Sequence, residues 1–233
     1  MMALRKIAVG AIMTGMLTAG TVPATAHDAG HVARQLSEEE VYFQLMDRAA
    51  PKFGLEDAGG DVVSLSDFVG QIVVLNFVYA SCTDICPMHS QRIAELQEMI
   101  NGTPMRDMVQ FVSITTDPVK DTPEVMRSYG ALHGLDDENW VFLTSGQARP
   151  VDTRDLAAAF GHRFDPAGDG SQIHGLVTHV IDQDGRHVGN FHGLDFDPVS
   201  LVSLVNALTN AKAPHLHKEG GLWDRLIGHF TAR

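Results

Sequence analysis

The run IVVLNFVYA, from Ile72 to Ala80, is almost wholly apolar and β-branched. With no polar face to offer water, it predicts a strand buried on both sides. MVQFVSITT (108–116) repeats that pattern, and NWVFLT (139–144) gives a shorter third strand. Between them the apolar period changes. Ile93, Leu96 and Ile100 share one helical face, with Pro87 at the predicted first position and Gly102 at the end. A second helix follows the second strand. Asp121 or Thr122 caps it, Pro123 and Glu124 occupy its first turn, and Gly134 stops it. VDTRDLAAAFG (151–161) and DPVSLVSLVNALTNA (197–211) predict two more helices, the latter capped by Asp197 with Pro198 at its first position. Gly59-Gly60-Asp61 and Asp184-Gly185 each lie between a pair of short apolar stretches, which predicts two β-hairpins.

The order is hairpin, strand, helix, strand, helix, short strand, helix, hairpin, helix. Strand–helix alternation requires parallel pairs, and the late hairpin closes the sheet antiparallel. This predicts an α/β, thioredoxin-like fold: a central mixed sheet flanked by helices, with an N-terminal β-hairpin. Residues 51–211 carry this plan. Residues 27–50, with SEEE, read as a polar tail leading into a short helix. Residues 212–233, KAPHLHKEGGLWDRLIGHFTAR, are a His-containing extension in which Trp223, Leu226, Ile227 and Phe230 line one helical face.

Charge narrows the function. A formal net charge of -12 gives no basic footprint for nucleic acid. Residues 1–26 read as a secretory signal: Arg5 and Lys6, an apolar run from Ile7 to Gly20, then small residues at Ala24 and Ala26. That run falls short of the ~20 residues that span a bilayer, so a retained anchor is the weaker reading. The expected location is the periplasm or another exported space, with a soluble mature protein.

Export sharpens the meaning of the only two cysteines, Cys82 and Cys86, in YASCTDICPMHS. Outside the cytoplasm a dithiol oxidises unless it is kept reduced or holds a metal. A bridge closing three intervening residues constrains the unfolded chain little, which argues against a structural staple. The pair lies at a strand–helix junction, where the partial positive charge of a helix start favours thiolate. Such thiolates exchange disulfides or bind a soft ion such as Cu(I) or Zn(II). The spacing is C-x-x-x-C, wider than the redox C-x-x-C. No proline stands before the late strand at Leu176, where redox thioredoxins keep one; His174 lies nearby instead. Two thiolates and an imidazole accept copper in both oxidation states. Redox chemistry remains the alternative.

Three segments together resemble the SCO/SenC family, copper-binding assembly factors of cytochrome c oxidase. FVYASCTDICPMHS is similar to its C-x-x-x-C-P motif, SITTDPVKDTPEVMRSY to its S-x-D-P-x-x-D-T-P-E segment, and IHGLVTHVIDQDG to its segment of a histidine followed by a strand. In the family that histidine stands eleven residues before the glycine of the D-G turn, which selects His174 over His179 here. The resemblance covers residues 50–210. It implies copper held by Cys82, Cys86 and His174, and delivery to the copper-binding subunit of the oxidase. It implies further partners such as another copper chaperone or a thiol reductase. Asp117 matches the acid after the second strand and is the candidate for orienting the site from behind its ligands. The alternative function is a thiol-disulfide reductase, with Cys82 and Cys86 as its redox disulfide, keeping oxidase cysteines reduced for metallation.

Other candidates have plainer readings. His179 is a half-buried strand residue, Asp84 a solvated loop acid, Asp121 a helix cap, and Met88 a packing residue on its helix. His27, His31, His215 and His217 are solvated tail residues. His89, His133, His162, His187, His192 and His229 have no partner legible in the sequence. A peroxidase of the peroxiredoxin type is disfavoured, because Ala80-Ser81 precede Cys82 where a T-x-x-C setting is usual.

Overall fold

A computed structural model describes residues 29–83, 85–163, 165–166, 172–173 and 175–211. The elements are α1 (Ala29–Glu39), β1 (Phe43–Ala49), β2 (Gly54–Glu56), β3 (Val62–Ser64), β4 (Ile72–Val78), α2 (Ile85–Asn101), β5 (Val109–Thr115) and α3 (Pro123–His133). Then follow β6 (Trp140–Leu143), α4 (Asp152–Phe160), β7 (Asp165–Pro166), β8 (Gln172–Ile173), β9 (Val177–Ile181), β10 (Arg186–His192) and α5 (Pro198–Asn210).

The main sheet has six strands in the order β1-β10-β9-β4-β5-β6. β4, β5 and β6 run parallel, and β9, β10 and β1 complete the sheet antiparallel. This is the thioredoxin-like mixed sheet expected from the chain pattern. β4 is buried at every position, as a central strand with both faces covered must be. Its residues divide by parity. Ile72, Val74 and Val78 face a core shared with α1, α2, α3 and α5. Val73, Leu75 and Phe77 face a second core shared with α4 and the β2–β3 hairpin. Each fully buried large side chain contributes about 1.5–3 kcal/mol.

The predicted hairpins, and the helices 152–160 and 198–210, form as expected. Asp197 Oδ1 accepts from Val199 N–H at 2.9 Å, and Gly134 and Gly161 end their helices with φ of 78° and 107°, which only glycine adopts without strain.

Residues 27–50 differ from the expected tail. Residues 29–39 form α1, whose Ala33 and Leu36 are buried, and residues 43–49 form an edge strand paired to β10. The folded unit thus starts some twenty residues before 51. β1 escapes a pattern search because Phe43 is its sole buried residue; an edge strand shows water most of its side chains. A second difference concerns α2. It starts at Ile85, so Cys86 and Pro87 lie inside its first turn rather than just before it and at its first position. Proline is tolerated there because the first four N–H groups lack intrahelical acceptors.

The predicted signal, Asp84, His174, and the extension 212–233 with its helical face lie outside the described residues. Among the described residues no helix is long and apolar enough to cross a membrane.

Candidate metal centre

β4 and β5 are parallel, so both deliver their loops to the same end of the sheet. The loop after β4 carries Cys82 and leads to Cys86; the loop after β5 carries Asp117 and Asp121. Thr116 N–H donates to Val78 O at 2.8 Å, which ties the two strand ends together.

Both cysteines are buried thiols outside any disulfide, 9% and 1% exposed. Cys86 N–H donates to Cys82 Sγ at 3.3 Å. Cys82 therefore satisfies one of the orphan donors at the start of α2 and meets the positive end of the helix. The chain pattern led us to expect that this helix start favours thiolate. At Cys86 burial dominates instead and pushes the thiol up to about 12, with its hydrogen bond to Cys82 acting in the same direction. An ion that binds Cys86 must displace a proton.

Sequence reasoning missed two members of the site. Tyr79, at the end of the strand, is raised to about 12 by burial and by a hydrogen bond with Cys82. Its position three residues before Cys82 was the available signal. Asp121 is not the helix cap; Thr122 occupies that place. Asp121 is 2% exposed, and its Oδ2 accepts from Ala80 N–H at 3.0 Å and from the Thr115 hydroxyl. It thereby fastens the cysteine loop to β5. Burial raises its pKa even against these two bonds, and Oδ1 is buried without a partner. Asp117 is largely buried beside it. Its Oδ2 lies 3.3 Å from Lys120 Nζ, and its N–H donates to Thr115 Oγ1 at 2.9 Å. It stands near Tyr79, whose deprotonation its charge opposes.

Met88 is not a buried packing residue: it is 52% exposed, as Ile85 is 43% exposed, at the start of α2. Among the described residues no group of three or more His, Cys, Asp or Glu is placed to hold a metal. The cysteines supply two soft ligands, and the third expected ligand, His174, lies beyond the described residues between β8 and β9.

His179 stands elsewhere, fully buried in β9 on the opposite face of the sheet from α2. Its Nε2 lies 2.9 Å from His162 Nε2, and its Nδ1 lies 2.7 Å from Asn190 Oδ1, which also meets His187 Nε2 at 2.6 Å. Phe77 and Phe160 pack against these rings. Here too the half-buried expectation is corrected: His179 is the centre of a buried histidine cluster.

Residues 44–210 match the model of the SCO1/SenC family. The chain belongs to the SCO1/SenC family. A SCO1 protein homolog of Bacillus subtilis is 24% identical over 161 residues, covering 69% of this chain and 82% of its own. Among solved structures, BsSco, described as a member of the Sco family of cytochrome c oxidase assembly proteins with a disulfide switch, matches with a TM-score of 0.63 and 22% identity. That match covers 72% of this chain and all of the other. Bradyrhizobium japonicum ScoI with copper bound matches with a TM-score of 0.55 and 25% identity over 69% of this chain and 99% of its own. Within this SCO1/SenC chain the matched region includes β1 from its second residue on, which agrees with the folded unit starting before residue 51.

Proposed function

We propose that this protein is an exported copper carrier that holds one copper through Cys82 Sγ, Cys86 Sγ and a ring nitrogen of His174. The carrying observation is the contact of Cys86 N–H with Cys82 Sγ, beside the hydrogen bond between the two side chains, which brings two unbridged thiols together at the start of α2 in a member of a family that includes a copper-bound ScoI. Copper arrives as cargo. Its uptake drives protons from the thiols, Cys86 foremost, and the helix start then stabilises the thiolates formed. Tyr79 and Asp121 hold the cysteine loop in place during exchange. The receiving site is the binuclear copper centre of cytochrome c oxidase, reached by ligand exchange beside the exposed side chains of Ile85 and Met88. Delivery takes place in the periplasm, after removal of residues 1–26.

The test is copper titration of the reduced protein with absorption and EPR, beside His174→Ala. The expected result is one tightly bound copper per chain with thiolate-to-Cu(II) bands, lost in the variant. Absence of stoichiometric copper overturns the reading. A second reading, a thiol-disulfide reductase acting on oxidase cysteines, is favoured by the nearness of the two sulfurs and by the disulfide switch described for BsSco. It expects thiol exchange that persists in His174→Ala.

A further inference from the structure

The two halves of α2 are held to the rest of the molecule by different forces. Its later turns insert Ile93, Leu96 and Ile100 into the core, contacts that are strong but non-directional. The turns that carry the cysteine offer no large apolar anchor, since Ile85 and Met88 point outward and are 43% and 52% exposed. The inward side chains there are Cys86, His89 and Ser90. Two buried polar bonds fasten this end. Ser90 Oγ and Tyr129 Oη lie 2.6 Å apart and join α2 to α3. His89 Nε2 and Thr178 Oγ1 lie 3.0 Å apart and join α2 to β9. His89 and Thr178 are both completely buried.

The second bond occupies a decisive place in the chain. His89 lies one helical turn beyond Cys86, on the same face. Thr178 lies in the strand that follows position 174, four residues on. It is also paired with Asn76 of β4, the strand that runs into the loop of Cys82. Three segments, each leading to one proposed ligand, therefore meet at Thr178. An apolar pair here would permit sliding of the helix end; a buried hydrogen bond has a direction and a length, and leaves an orphan polar group if it slips.

We infer that His89 and Thr178 form a positioning pair that sets the separation between the cysteine-bearing end of α2 and the strand leading out of position 174. The pair touches no copper. It acts through the ligands, and the inference rests on the copper site proposed above.

The test uses the full reduced protein and the variants Thr178→Val, His89→Leu, their double, and His89→Gln, whose amide can restore the bond. Copper affinity is measured by competition with a chromogenic chelator, and Cu(II) geometry by EPR and the thiolate charge-transfer band. Each single variant is expected to weaken copper about tenfold, as loss of supporting hydrogen bonds does in other metal sites. The band should shift, the double should be no worse than either single, and His89→Gln should recover the native spectrum. If Thr178→Val keeps affinity within twofold and the spectrum unchanged while its circular dichroism is native, the inference is overturned. Additive losses in the double overturn it as well, because independent sites add. Retention of copper by His174→Ala marks instead a failure of the proposed ligand set.

Discussion

Two clusters of ligand-type side chains sit on one sheet and differ in what completes them. The histidines at 162, 179 and 187 are linked inside the protein: His179 uses both ring nitrogens, on His162 and Asn190, His187 meets the same Asn190, and Asn190 passes the chain on to Gln44, which His192 also meets. The cysteines are tied to the loop around them, by a backbone N–H and a phenol, with exposed Ile85 and Met88 on the same helix start. The first arrangement turns its ring nitrogens toward protein partners, with His187 Nδ1 left buried and unpaired, and holds the fold together. The second places two thiols side by side, and their protons are what a soft ion would displace. Residue type alone does not separate the two; the partners do.

The comparison breaks most visibly if the cysteines are removed. Cys82→Ala with Cys86→Ala should abolish stoichiometric copper binding at a stability cost of only about 1 kcal/mol, read by titration and by urea unfolding. The converse is His179→Ala. It should leave copper stoichiometry intact yet cost about 3–4 kcal/mol, through a cavity and the loss of two buried hydrogen bonds, read as a lower urea midpoint at constant slope.

Acid should distinguish the clusters by window. Burial holds His179 and His187 below their ordinary pKa of 6.5. Their neutral forms therefore contribute stability that is full above pH 6.5 and is lost as pH falls through it toward the folded values. The slope is at most about 1.4 kcal/mol per pH unit for each histidine, measurable by urea unfolding between pH 7.5 and 5. Asp121 and Asp182 are raised, so their contribution has the opposite sign: it is present below their ordinary 3.8 and fades as pH rises through the folded values. Copper affinity follows another course. Each thiol proton displaced should make it fall about tenfold per pH unit, and this should already be visible above pH 6.5, where stability is flat. The smallest effect expected is Met88→Ala, within about 0.5 kcal/mol and without change in copper stoichiometry, because that side chain is half exposed.

The legibility of the molecule follows the same division. β4, β5 and α4 could be read from the chain because continuous burial or one-sided burial leaves an apolar period. β1 could not, because pairing at the edge to β10 depends on backbone bonds and one buried phenylalanine. The cysteine pair was legible from its spacing, since four residues of chain hold the two sulfurs close. The histidine cluster was not: His162, His179 and His187 come from the end of α4, from β9 and from β10, and meet only when the sheet is assembled. Asp121 shows a further limit. An acid ahead of T-P-E satisfies the pattern of a cap, and nothing local reveals that its carboxylate turns inward to Ala80 and Thr115.

The protonated state of Cys86 bears on how the site without its guest meets oxidants. Oxidants and stray electrophiles attack thiolates, and a thiol whose pKa stands at about 12 presents almost none at neutral pH. Cys86 thereby offers little thiolate to an oxidant. The same proton acts as a toll on incoming ions: weakly thiophilic cations such as magnesium or calcium cannot displace it, whereas a soft ion can. Burial of one sulfur thus lowers its reactivity toward oxidants and favours soft ions over hard ones.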